Sequence, residues 1–175
     1  MSAIPEIIEA PLSSEELAAR YRALCEDPCY ANVPGKIELD VWGRMLMTPP
    51  SYYHGVVQGR LVLALKAALG GEPSVEAPVV TAAGLLVADV AWASPQFTSA
   101  HGSETPLTRA PEICAEVVSP SNSVKELHEK IHAFLAAGAE GVWLIYLQSR
   151  RCEFYGKQGL LQCSRYAVDF ANLFS

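Results

Sequence analysis

Two short apolar runs, each broken by a single acid, constrain this chain most. Leu85-Leu86-Val87-Ala88-Asp89-Val90-Ala91-Trp92 reads as a strand, and Ile113-Cys114-Ala115-Glu116-Val117-Val118 as a strand of the type buried on both faces. A carboxylate inside a sheet costs several kcal/mol unless it is paired, bound to a cation or open to solvent at a strand end. Neighbouring strands lie about 4.8 Å apart, so Asp89 and Glu116 could bracket one divalent ion. The alternative is that each carboxylate pairs with a nearby Arg or Lys, and the residue pattern leaves both readings open.

The elements around these runs supply the layers. Ser13 with Glu16 forms a capping box for a helix ending near Cys25, preceded by an extended arm. Lys36 to Val41 and Arg44 to Met47 alternate as two strands about a Trp42-Gly43 turn, and Pro49-Pro50 stops the second. Apolar residues from 53 to 68 follow helical spacing until Gly70-Gly71. Val75 to Thr81 pairs with 85 to 93, a polar loop spans 94 to 109, and Pro120 ends the strand that carries Glu116. Ser123 and Glu126 open a second capped helix with the stripe Val124, Leu127, Ile131, Phe134 and Leu135, closed by Gly138. Val142 to Leu147 is a further buried strand, and 151–156 with 160–166 is a terminal hairpin. The expectation is an α/β fold, a mixed sheet flanked by helices with hairpins at both ends, built as one domain over residues 1–175.

Composition excludes several classes. No run approaches the ~18 apolar residues of a membrane span, because Leu61 to Leu69 is short and contains Lys66. The N-terminus carries Glu6 and Glu9 where a secretory signal carries positive charge, so a cytoplasmic location is expected. Five scattered cysteines without a C-x-x-C pair indicate neither a disulfide framework nor a zinc ribbon and are expected to be reduced, mostly buried thiols. The net charge of −6 argues against a basic nucleic-acid coat. It is uneven, however: residues 1–30 hold six acids and two bases, while Arg150, Arg151, Lys157 and Arg165 face only Glu153 between 150 and 165.

The ordered blocks G-K-I-E-L-D-V-W-G-R-M-L-M-T-P-P (35–50), S-Y-Y-H (51–54), L-L-V-A-D-V-A-W (85–92), A-E-V-V-S-P-S (115–121), H-E-K (128–130) with A-A-G (136–138), and G-V-W-L-I (141–145) resemble the Uma-type restriction endonuclease family, a branch of the PD-(D/E)xK nuclease superfamily. The resemblance covers about residues 34–156. It implies a restriction-endonuclease-like sheet with a helix on either side and magnesium- or manganese-dependent cleavage of phosphodiesters in nucleic acid, DNA foremost. Carried over by position, it implies that Asp89 and Glu116 ligate the metal. Val118 stands where the superfamily usually has its lysine, which here implies Lys130 on the following helix as the catalytic ammonium, and Ala88 stands where the family mostly has proline. The resemblance also implies Glu38, in the hairpin block, as a fourth member that binds metal or orients water. His54, Lys125, Arg150 and Arg151 are substrate-binding candidates, and a homodimer is expected because cutting both strands of a duplex needs two sites.

Two rival readings come from other classes. His128-Glu129-Lys130-Ile131-His132 is literally H-E-x-x-H on a helix, the zinc-peptidase pattern. No histidine follows His132, however, and at about 100° per residue Lys130 falls on the flank opposite His128 and His132, so the two sites exclude each other. The chain could also keep the nuclease fold as a non-catalytic binding or assembly module, a reading motivated by its acidity and by Val118.

Overall fold

The computed structural model describes residues 10–30, 35–49 and 51–175; the N-terminal arm expected over the first residues lies largely outside them. The elements in chain order are α1 (Ser14–Glu26), β1 (Lys36–Leu39), β2 (Met45–Thr48), α2 (Tyr52–Leu69), β3 (Glu72–Thr81), β4 (Gly84–Ala93), α3 (Pro95–His101), β5 (Ile113–Val118), α4 (Val124–Ala136), β6 (Gly141–Tyr146), β7 (Arg151–Gly156) and β8 (Gly159–Leu161). The strands form one mixed sheet in the order β2-β1-β4-β5-β6-β7-β8, with β3 also paired to β4. Among the described strands only β5 and β6 run parallel, with α4 as their crossover; the other pairings are antiparallel.

Local chemistry accounts for the helix starts. Ser13 accepts from the Glu16 amide while the Glu16 carboxylate returns to the Ser13 amide at 2.8 Å, the capping box read in the sequence. Ser51 and Ser123 supply the serine half alone, accepting from the His54 and Glu126 amides at the starts of α2 and α4, while the Glu126 carboxylate accepts from Asn122 instead of closing the capping box read in the sequence. The stretch 94–109, expected to be loop throughout, contains α3: Ser94 caps it and Pro95 occupies its first turn, where a missing amide proton costs nothing. The cysteines also differ from expectation, since only Cys114 is buried while Cys25, Cys29 and Cys163 are exposed; all are free thiols. Among the described residues no helix is long and apolar enough to cross a membrane.

The sheet separates two apolar layers. Leu127, Ile131 and Phe134 of α4 pack with Leu86, Ala88, Cys114 and Leu144 on one face. On the other, Val57, Leu61 and Leu65 of α2 pack with Val90, Trp92, Ile113, Val117 and Ile145, and α1 covers Leu39, Val80, Leu85 and Val87 beside them. Alternation along β4 therefore breaks at one residue. Leu86 and Ala88 lie under α4, but Val90 and Trp92 lie under α2. The break falls at Asp89, opposite Glu76, a residue with φ of 52° that drops out of the β3–β4 ladder.

Candidate active site

β4 is longer than the partners along one of its edges, and the site grows from that mismatch. β3 occupies one edge of β4 from Glu72 to Thr81. The other edge pairs with β1 at Leu39–Leu85 and with β5 from Val90 to Trp92, leaving a fork between β1 and β5. Backbone groups in a buried fork need partners, and here side chains supply them. Glu38 Oε1 accepts from the Val87 amide at 2.9 Å, Lys36 Nζ donates to the Val87 carbonyl at 2.9 Å, and Gln58 Nε2 donates to the Asp89 carbonyl at 3.1 Å. Asp89 Oδ2 accepts from the Val117 amide at 2.7 Å, which ties β4 to β5 just past the end of their ladder.

Asp89, Glu116, Lys130 and Glu38, the four residues singled out by the resemblance, meet in this fork. All are nearly inaccessible, between 2% and 8% exposed. Glu116 projects from β5 toward α4, where Lys130 lies on the buried stripe with Leu127, Ile131 and Phe134 instead of at its edge. The Lys130 ammonium spans two carboxylates, 2.9 Å from Glu38 Oε1 and 3.0 Å from Glu116 Oε2. His54, one turn into α2, places Nε2 3.3 Å from Asp89 Oδ2.

Lys36 was not singled out in the sequence, yet it is the second ammonium of the site. Its Nζ lies 2.7 Å from Asp89 Oδ1, 3.5 Å from Glu116 Oε2 and 3.7 Å from Glu38 Oε1. A usable signal was present: Lys36 stands two residues before Glu38 on β1, and side chains two apart share a face of a strand. Of the two readings left open for the buried acids, pairing with lysines is therefore realised, but incompletely. Glu116 Oε1 is buried and has no hydrogen-bond partner.

The charges shape one another. Burial pushes Asp89 up, but hydrogen bonds from His54 and Lys36 together with the Lys36 charge outweigh it and hold the carboxyl at about 2. Burial dominates at Glu116, where the attraction of Lys130 and Lys36 is offset by repulsion from Asp89 and Glu38, and the carboxyl is pushed up to about 7. Both ammoniums are driven above their ordinary value: burial opposes their charge, but Glu116, Asp89 and Glu38 around Lys36, and Glu116 and Glu38 around Lys130, prevail. A carboxylate poised near neutrality beside one that stays ionised is a recurrent property of functional sites.

The fork opens into a cavity of about 700 Å³. Tyr21 and Tyr30 line it together with Lys36, His54, Glu76 and Ser119. The other substrate-binding candidates, Lys125, Arg150 and Arg151, do not line it. Lys125 pairs with Glu129, and Arg151 pairs with Glu153 and stacks on Tyr146. His128 and His132 are exposed on the outer flank of α4, and among the described residues no three His, Cys, Asp or Glu side chains are arranged to hold a metal by themselves. Two carboxylates with one free oxygen nevertheless suit a hard cation that takes its remaining ligands from water and phosphate.

No curated protein matches the chain. Among solved structures it is similar to a putative nuclease belonging to DUF820 from Anabaena variabilis, at 17% identity and a TM-score of 0.59, covering 83% of this chain and 82% of that one. At that identity the likeness establishes the fold alone. The model of the Uma2 family, described as "Putative restriction endonuclease", matches residues 18–173, nearly the whole sequence, and the chain belongs to that family.

Proposed function

We propose that this protein is a metal-dependent endonuclease that hydrolyses phosphodiester bonds in DNA. The observation that carries the reading is the buried, unpartnered Oε1 of Glu116, a side chain that lines the same cavity as Asp89 and whose other oxygen is held by the Lys130 ammonium. A buried polar atom without a partner costs about 1–3 kcal/mol, a cost that a cation bound there would offset. Asp89 and Glu116 would hold magnesium or manganese, which when bound polarises a phosphate oxygen and lowers the pKa of a coordinated water. The chain's own residues do the rest. Lys130, locked between Glu38 and Glu116, presents a fixed positive charge that orients water and offsets charge developing on the phosphate. Glu38 fixes that ammonium and closes the Val87 amide, so its part is positioning. His54 donates toward Asp89 from the cavity side, where a neighbouring phosphate could reach it.

One observation favours a second reading, a non-catalytic module: the carboxylates of Asp89, Glu116 and Glu38 are already paired in the fork with Lys36 and Lys130. The two are separated by incubating plasmid DNA, single-stranded DNA and RNA with the protein in magnesium, in manganese and in chelator. Metal-dependent cleavage of duplex supports the nuclease, and cleavage confined to RNA corrects the substrate. Silence on all three with a folded protein favours the module. Sedimentation at cleavage-active concentrations tests the homodimer that double-strand cutting implies.

A further inference from the structure

We propose that Lys36 is the resident counter-ion of the carboxylate site, the group that a divalent cation displaces in order to enter. The inference rests on the metal-dependent reading above and follows from which oxygens are free. Asp89 Oδ2 is engaged by the Val117 amide at 2.7 Å and by His54 at 3.3 Å. Glu116 Oε2 is engaged by Lys130 at 3.0 Å, and Glu38 Oε1 by Lys130 and the Val87 amide. The oxygens left with most room for a cation are therefore Glu116 Oε1 and Asp89 Oδ1. Glu116 Oε1 has no partner, but Asp89 Oδ1 is held by Lys36 Nζ at 2.7 Å. The ammonium and the metal compete for the same oxygen, and their like charges do not share it.

The two lysines are not equivalent in this respect. Lys130 is fixed on a helix between two carboxylates that it contacts equally closely. Lys36 makes one short carboxylate contact and two long ones beside its bond to the Val87 carbonyl, stands on the short strand β1 at the fork, and retains about twice the side-chain exposure of Lys130, 13% against 7%. Its four-carbon stem lets the head swing into the cavity while the strand stays in place. Released there, the ammonium would face the scissile phosphate instead of the carboxylates.

The test is binding of Mn2+ alone, followed by calorimetry, to wild type, Lys36→Met, Lys36→Arg and Glu116→Gln. Removing the competing charge should tighten Mn2+ binding in Lys36→Met at least tenfold, while Lys36→Arg stays near wild type and Glu116→Gln binds far more weakly. Binding by Lys36→Met equal to or weaker than wild type, with Glu116→Gln still defective, overturns the role of Lys36 and leaves the metal site standing. Absence of Mn2+ binding in every protein overturns the metal-dependent reading and this proposal with it. A measurement on unmodified protein covers misfolding of the variant: acetylation of Lys36 by a water-soluble reagent, read by mass spectrometry, should accelerate when Mn2+ is added. An unchanged rate with Mn2+ bound overturns the displacement.

Discussion

Replacing Lys130 with methionine tests the electrostatic construction of the site independently of catalysis. Methionine keeps most of the stem but removes the ammonium that sits 2.9 Å from Glu38 and 3.0 Å from Glu116. Breaking a buried ion pair by deleting one partner costs about 3–5 kcal/mol, because the other charge is left uncompensated. Lys36 remains at 3.5 Å from Glu116 and 3.7 Å from Glu38, which places the expected loss at the lower end, about 3 kcal/mol. For a chain of this size that is a fall in Tm of about 6–12 °C. The loss should depend on pH in a defined direction. Glu116 is raised to about 7 in the folded protein from an ordinary 4.5, so the folded state holds its proton more tightly and stability falls as pH rises through that window. Lys130 is the strongest influence holding Glu116 down, and its removal pushes the carboxyl higher still. The deficit should therefore be large at about pH 8 and smaller at about pH 5.5, where Glu116 is protonated in both proteins. Urea unfolding of the metal-free proteins at the two pH values measures it. A variant as stable as wild type at pH 8, or a deficit that grows on acidification, would refute the reasoning.

Other consequences follow from the same structure. For the metal-free wild type, the Asp89 contribution is complete above its ordinary value of 3.8 and is lost as pH falls toward about 2, whereas Glu116 costs stability between 4.5 and about 7; urea midpoints should therefore be higher near pH 5 than at pH 3 or pH 8. Ser123→Ala removes the acceptor for the Glu126 amide at the start of α4 and should cost about 1 kcal/mol in equilibrium unfolding, fraying the helix that carries Lys130. Gly84→Ala should cost about 2–3 kcal/mol, because φ at residue 84 is 119° and an added Cβ would collide with the Leu39 carbonyl beside the fork; a Tm within a degree of wild type would contradict the packing described for β1 against β4.

Much of this architecture was legible because the sequence states it locally. Serine caps three residues before a glutamate marked α1 and α4, glycines marked helix ends, and apolar runs marked β4, β5 and β6. The candidate site was legible for a sharper reason: Asp89 and Glu116 are acids in runs whose other residues, Val118 excepted, are buried. Lys36 was obscured because a lysine at the start of a short strand has the signature of a solvated edge residue, and only the fork between β1 and β5 turns its side chain inward. Lys130 illustrates the converse. Periodicity put it on the flank of α4 opposite His128 and His132, and its burial follows from the carboxylates that meet it, which no helical pattern encodes. α3 was missed because seven residues with one buried aromatic give too little periodicity, although Ser94-Pro95 is a start signal on its own.

The central claim is that the fork formed by Asp89, Glu116 and Lys130 cleaves nucleic acid, and the most direct measurement is the initial rate of supercoiled-plasmid nicking in Mn2+ by wild type and by Glu116→Gln purified in parallel. That substitution keeps the shape of the side chain and removes the charge carried by the unpartnered oxygen. The account predicts Mn2+-dependent nicking by wild type and a loss of at least a hundredfold in the variant, with both proteins equally folded. Nicking that persists undiminished in Glu116→Gln would contradict it.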